Sequence, residues 1–277
     1  YYAFRNRYAV MIDRNFGGRR VQIVGSYQRL DELEEILKEF SYRVQKKDCL
    51  DLPKKIFMSR TVELTKEQQE AYATMKSAAL ASLKGKMATA PHVLTQLMRL
   101  HQISCGHFKS DDGVITTLQH NRIDELLDVT NEMEGKVIIW ANYVHDIKEI
   151  TQALEVEYGE GCVVQYYGEV SSEDRQRAIK EFQDPKSKVK YFVGNTQTGG
   201  YGITLTAASN VIYYSNSYDL EKRLQSEDRA HRIGQHKPVT YVDLIAEKTV
   251  DEKIIRALKK KINIASKIMG DTVQDWI

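Results

Sequence analysis

The sequence predicts an α/β fold in which a parallel sheet is flanked by helices and preceded by a helical subdomain. Two observations predict it. From residue 121 onward, short apolar runs rich in β-branched and aromatic residues alternate with stretches of 3.6-residue period, the pattern of strands joined by crossover helices. Those runs are apolar throughout rather than alternating, as strands covered on both faces are. They are KVIIWA (136–141), CVVQYY (162–167), VKYFVG (189–194), NVIYYS (210–215) and VTYVDLI (239–245), with helices at about 143–158, 172–183, 219–232 and 249–267.

In chain order, residues 1–20 mix aromatics with arginines and show no clean period. Packing of those aromatics on a neighbouring domain is favoured over stacking on nucleic acid. Val21–Val24 is a short strand, and Leu33, Ile36, Leu37 and Phe40 mark an amphipathic helix. A basic stretch, 42–55, carries Pro53 near its end. KIFMSRTVEL (55–64) alternates with Ile56, Met58, Val62 and Leu64 on one side, which predicts a half-buried strand. Thr65 opens a helix striped by Tyr72, Met75, Ala79 and Leu83, and 92–104 forms a second, well-buried helix. KSDDGV (109–114) is a turn-rich loop. Ile123, Leu126 and Leu127 stripe a helix that ends before Gly135, and Ser171-x-x-Asp174 is a capping box for the helix at 172. The last helix sets Val250, Ile254, Leu258, Ile262 and Ala265 on one stripe, with Lys253, Arg256 and Lys260 on a face read as solvated.

Composition narrows the function. Hydrophobic content of 42%, charged content of 28% and a net charge of +2 are ordinary for a soluble globular protein, so any nucleic-acid surface is a local patch. Cys49, Cys105 and Cys162 are far apart and fit neither a disulfide framework nor a zinc site, which points to a reducing compartment. His92, His101 and His107 match no metal spacing, and no metal is expected. No run approaches a membrane span and no signal peptide is visible, so an intracellular protein is expected. A start at Tyr1-Tyr2 suggests a fragment.

Two strings bear chemistry. In GNTQTGGYGITLTAAS (194–209), Gly199, Gly200 and Gly202 free the backbone, and Thr196 and Thr198 bring hydroxyls at the carboxyl end of a strand. A phosphate cradle and a tight βα turn are equally good readings of that segment by itself. In QSEDRAHRIGQ (225–235), Gln225, Arg229 and Arg232 fall at i, i+4 and i+7, one helical stripe, while Leu220 and Leu224 face a core. Two guanidiniums aimed one way suit phosphate oxygens; the competing reading is a solvated face paired to Glu227 and Asp228.

Taken together, the two strings closely resemble the second lobe of Snf-type ATPases, superfamily-two helicase-like DNA translocases that include the chromatin remodellers. KVIIWANYVHDI, YYGEVSSEDRQRAIKEF and LPKKIFMSRTVELTKEQQEAY resemble neighbouring motifs of the same family, so the likeness covers about residues 40–258. It implies a RecA-like lobe over 119–248, a helical subdomain over 65–118, a bracing helix over 249–277, and the end of a first lobe with the inter-lobe segment over 1–64. It implies that Arg229 and Arg232 are arginine fingers for ATP on the opposite lobe and that Gln225 couples nucleotide to lobe closure. Gly200, Gly202 and Asp228 would lie beside the nucleotide, and Thr196, Gly199, Tyr167 and Gly168 would meet the DNA backbone. Thr198 and Thr204 stand where the family has alanine and asparagine, and SYDL (217–220) replaces its Asp-Trp-Asn-Pro.

The chain contains neither GxxxxGK[ST] nor a DEAH-type string. ATP and Mg are therefore expected in a longer parent, with none bound to this chain, and the chain is expected to be inactive by itself. Expected partners are double-stranded DNA and a first ATPase lobe, with no membrane; the compartment is the cytoplasm or nucleoid in a bacterium or virus, the nucleus in a eukaryote. Two other readings stay open: a non-catalytic nucleic-acid-binding or interaction module on the same fold, and an RNA helicase of the same superfamily.

Overall fold

The computed structural model describes the chain apart from residues 17–18, 43–48, 85–89, 111, 200–201 and 270–277, and it leaves out the side chains of 16, 19, 82–84, 90–93 and 267–269. The second and largest group of elements is built on β3 (Lys55–Val62), β6 (Lys136–Trp140), β7 (Val163–Tyr166), β8 (Tyr191–Gly194), β9 (Ala208–Tyr213) and β10 (Val239–Ala246). These six form one parallel sheet in the order β3-β10-β9-β6-β8-β7. Val137, Ile138, Ile139 and Trp140 of the central β6 are all 0% exposed, because helices cover both faces. On one face α5 (Arg122–Asn131) and α6 (Val144–Tyr158) set Leu126, Val129, Ile147, Ile150 and Leu154 against Val137, Ile139 and Val193. On the other, Phe182 of α7 (Ser172–Gln183) and Ala230 of α9 (Leu220–Ala230) join Ile138, Trp140, Phe192 and Tyr213. The one-turn α8 (Thr196–Gly199) sits just past β8. All five sequence-read strands and the helices between them are present, an α/β RecA-like arrangement.

The helical subdomain is α3 (Lys66–Lys84) and α4 (Ala90–Cys105), followed by a small hairpin of β4 (His107–Lys109) and β5 (Ile115–Thr117). Its Tyr72, Leu100 and Ile103 share a core with Val250, Ile254 and Leu258 of α10 (Val250–Met269). Leu83 and His92 lie outside the residues whose side chains are described. Below this core, the fully buried Arg122 ties four segments together. Its Nε donates to the Ser104 carbonyl at 3.2 Å, Nη1 to the carbonyls of Tyr214 and Leu244, and Nη2 to the Asp251 carboxylate. His101 and His107 are structural: His101 Nδ1 meets the Tyr143 hydroxyl at 2.9 Å, and His107 Nδ1 lies 3.0 Å from Asp146. Among the described residues no His, Cys, Asp and Glu cluster suits a metal.

Four sequence expectations need correction. Residues 1–20, read as aperiodic, form α1 (Tyr2–Tyr8) and β1 (Ala9–Phe16), which pairs antiparallel with β2 (Arg19–Tyr27) ahead of α2 (Leu30–Phe40). Their apolar side chains are largely exposed, so burial imposes no period. Strand β3 is real, yet Ile56 (44%) and Met58 (52%) face outward and only Val62 is buried, because β3 is the sheet's edge. It also draws the sheet upstream into the segment read as inter-lobe. The helix expected to reach 232 ends at Ala230, where His231 leaves helical geometry at φ −91, ψ 80. Finally, the stripe that α9 buries is Arg223, Ser226, Glu227 and Ala230, with Leu220 and Leu224 only partly covered. Glu227 is thus no solvated partner of the arginine stripe; it pairs inward, with Lys55 Nζ at 2.9 Å and Arg223 Nε at 2.9 Å.

Candidate functional site

The carboxyl ends of parallel strands are where loops reach ligands in such sheets. Here that edge carries Asn142 after β6, Tyr167 and Gly168 after β7, the 194–203 loop after β8, and residues 215–219 after β9. Asn195 organises it. Its Oδ1 accepts from the Gln197 amide at 2.7 Å, starting α8; its Nδ2 donates to the Asn142 carbonyl at 2.8 Å; its own amide donates to the Tyr166 carbonyl at 3.1 Å. Three segments are so tied to one residue, two by its side chain and one by its backbone amide, with Thr196 held half-buried in the first turn. An asparagine directly after an apolar strand is a helix-capping signal, and it identifies Asn195 from sequence.

Gly199 and Gly202 of this loop have different reasons to be glycine. Gly202 sits at φ +71 with open space where a Cβ would be, so backbone conformation demands it. Gly199 is buried, and a Cβ there would come within 2.5 Å of the Trp140 ring. Its amide is spent on the Asn195 carbonyl at 2.8 Å, so Gly199 shapes the loop from beneath. Gly200 lies outside the described residues. Tyr167 is 8% exposed, with its side chain in the core and its carbonyl accepting from the Val170 amide at 3.1 Å, while Gly168 beside it is exposed.

The loop then runs to the arginines. Asp219 caps α9 by accepting from the Lys222 amide at 3.2 Å, and Gln235 Nε2 closes the other end on the carbonyls of Thr206, Ala208 and Ala230. Between these anchors, Arg229 Nε donates to the Gln225 carbonyl at 2.8 Å and Nη1 to the Ile203 carbonyl at 3.1 Å. Arg232 lies beyond the helix, yet its Nη1 reaches the same carbonyl at 3.5 Å. The two guanidiniums therefore converge as the sequence spacing predicts, by a turn in place of the last helical step. Burial, then the charge of Arg232, lowers the proton affinity of Arg229, only partly offset by Asp228. Among the described residues neither arginine has a carboxylate at ion-pair distance. Half-buried Gln225 donates Nε2 to Glu221 at 2.9 Å, while its Oε1 is a buried acceptor with no donor among the described residues. The arrangement is a cationic pair without a carboxylate at ion-pair distance among the described residues.

Comparison with known proteins gives the family and the fold. A family model described as SNF2-related domain matches residues 2–109, and one described as helicase conserved C-terminal domain matches residues 119–234. The SWI/SNF-related matrix-associated actin-dependent regulator of chromatin subfamily A member 1 of Homo sapiens is 31% identical over 265 residues, covering 88% of this chain and 24% of that protein. The chain thus spans about a quarter of the length of that relative. The solved SWI2/SNF2 ATPase core of Sulfolobus solfataricus in complex with dsDNA superposes with a TM-score of 0.61 at 29% identity, over 87% of this chain and 52% of that one. The C-terminal part of the Fun30 ATPase domain shares the fold, with a TM-score of 0.64 at 21% identity over 75% of this chain and 90% of that one. By these matches, in the order of its two domain regions, the chain belongs to the SNF2-related, helicase-like ATPases.

Proposed function

We propose that this chain is the second motor lobe of an ATP-dependent, DNA-stimulated translocase, and that Arg229 and Arg232 act on ATP held by a first lobe. The observation that carries this reading is the guanidinium couple gathered on one carbonyl, without a carboxylate at ion-pair distance among the described residues, where burial and then Arg232 lower the proton affinity of Arg229. Among the described residues these two like charges are held together with no carboxylate at ion-pair distance of either, which costs free energy unless a ligand supplies the negative charge. A triphosphate does so. Magnesium with ATP, when bound to the parent, supplies the phosphoryl group and neutralises its oxygens. Arg229 and Arg232 stabilise charge on that group, Gln225 fixes Arg229 through its carbonyl, and Gly200, Gly202 and Asp228 lie beside the nucleotide.

The other ligand is duplex DNA, met along the carboxyl edge of the sheet by Thr196 and the backbone about Tyr167 and Gly168, with Gly199 shaping the loop. Such contacts bind without reading sequence, as a translocase requires. The first lobe has a surface to cover as well. Phe4, Leu33, Ile36, Leu37 and Phe40 line an apolar groove between α1 and α2, with Phe40 72% exposed.

The test pairs this chain with a first lobe and replaces Arg229 or Arg232 by alanine. Each substitution is expected to lower DNA-stimulated ATP turnover by about 10³-fold or more, the range for a positioned arginine finger. Full turnover in both variants refutes the assignment. The 277 residues by themselves are expected to show none. The competing reading, a binding module without catalysis, rests on the missing GxxxxGK[ST] string and predicts no turnover in any pairing.

A further inference from the structure

A pocket of about 460 Å³ opens at the carboxyl edge of the sheet, next to Thr196 and away from the arginine couple. Asn142 and Gln197 form one wall, Ser217 and Tyr218 another, and two lysines from different helices complete it: Lys222 from the first turn of α9 and Lys261 from α10. The Lys261 ammonium donates to the Tyr218 carbonyl at 2.6 Å, which pins the head of α10's side chain over the pocket. Lys222 Nζ lies 3.5 Å from the carboxylate of Asp219, the one acid in the lining. That carboxylate also accepts the Lys222 amide as the helix cap, so it is committed to the start of α9. Two ammonium groups face one carboxylate, a local positive surplus in a chain whose net charge is only +2.

Its lining side chains offer hydroxyl, amide and ammonium groups beside the Asp219 carboxylate and the Tyr218 ring. Two ammonium groups and neutral donors at one mouth suit a tetrahedral anion that keeps part of its water. Lysine binds phosphate as a point charge, without the fork geometry an arginine imposes. Thr196 itself lines the pocket with Asn142 and Gln197, the two residues that the Asn195 side chain ties together, so a strand lying on Thr196 passes its mouth.

We propose that this pocket seats one phosphate of the DNA backbone, with Lys222 and Lys261 as its cationic contacts. The proposal rests on the reading of duplex DNA as the partner. Lys253 and Lys260, also exposed on α10, are not part of the pocket, which separates this site from a generally basic helix.

The test is binding of a fluorescent duplex to the 277-residue chain across a potassium chloride series. Each phosphate neutralised contributes about 0.9 to the slope of log affinity against log salt. The Lys222→Ala/Lys261→Ala double variant is expected to lose roughly 0.9 from that slope, whereas Lys222→Arg/Lys261→Arg and Lys253→Ala/Lys260→Ala keep it. Should the alanine variant fail to fold, Lys222→Gln/Lys261→Gln retains a donor for the Tyr218 carbonyl and gives the same reading. Duplex binding with an unchanged slope in the double variant overturns the pocket and leaves the DNA reading standing. So does an equal loss in the Lys253/Lys260 control, or inorganic phosphate binding that the double variant loses while its duplex slope is unchanged. No duplex binding by the unsubstituted chain overturns both.

Discussion

Trp140 decides much of what the glycine loop can be. The ring is fully buried at the end of the central strand, and the loop lies on it so closely that a Cβ at Gly199 would stand 2.5 Å from two of its carbons. At that distance a methyl group fits only if the Trp140 ring or the loop moves. The expected result for Gly199→Ala is therefore overpacking, a loss of about 1–3 kcal/mol read as a lower urea midpoint at unchanged m-value. A Trp140→Phe background makes room and should recover part of that loss, which a double-mutant cycle measures. If Gly199 were glycine only to let DNA approach, the substitution would weaken binding and leave stability alone.

At the scale of elements, local signals were legible wherever one interaction range settled the matter. Strands at 136–140, 163–166, 191–194, 208–213 and 239–246 follow from runs buried on both faces, and Ser171 caps α7 as its spacing predicts. The cap is one-sided: Ser171 Oγ accepts the Asp174 amide at 3.1 Å and turns its hydroxyl to Asp174 Oδ2 at 2.9 Å, so no reciprocal bond closes the box. Ser171→Ala is expected to cost about 1 kcal/mol, the value of a single cap, in thermal or chemical unfolding. Long-range pairing was not legible. Glu227 reads as surface charge until Lys55, 172 residues away, arrives beside it. Ile56 and Met58 read as core because alternation does not say whether a strand is central or at the edge. The arginine couple was legible as a stripe, but its meeting point at the Ile203 carbonyl and the Asn195 tie belong to tertiary structure.

For the whole molecule the decisive joint is Arg122 with Asp251. It links α4, α5, the end of β9, β10 and α10, so the helical subdomain and the sheet share one buried ion pair rather than a wet interface. Burial by itself raises the Asp251 carboxyl; Arg122 first and His101 next overcome it, and the folded value lies below the ordinary one. A carboxylate held low contributes stability that is present above the unfolded pKa of about 3.9 and is lost as pH falls through the folded value. Arg122→Met removes the counter-charge and leaves the carboxylate buried without its guanidinium, an expected loss of about 3–5 kcal/mol near neutral pH. Burial then dominates, the folded carboxyl rises above the unfolded value, and protonation relieves the variant. The stability gap between wild type and Arg122→Met should therefore narrow as pH is lowered from 7 toward about 4, where the unfolded carboxyl titrates. Urea unfolding at stepped pH checks this. A gap that stays constant or widens would show that Asp251 does not depend on Arg122, and that subdomain and sheet are held together by the apolar contacts of α3, α4 and α10.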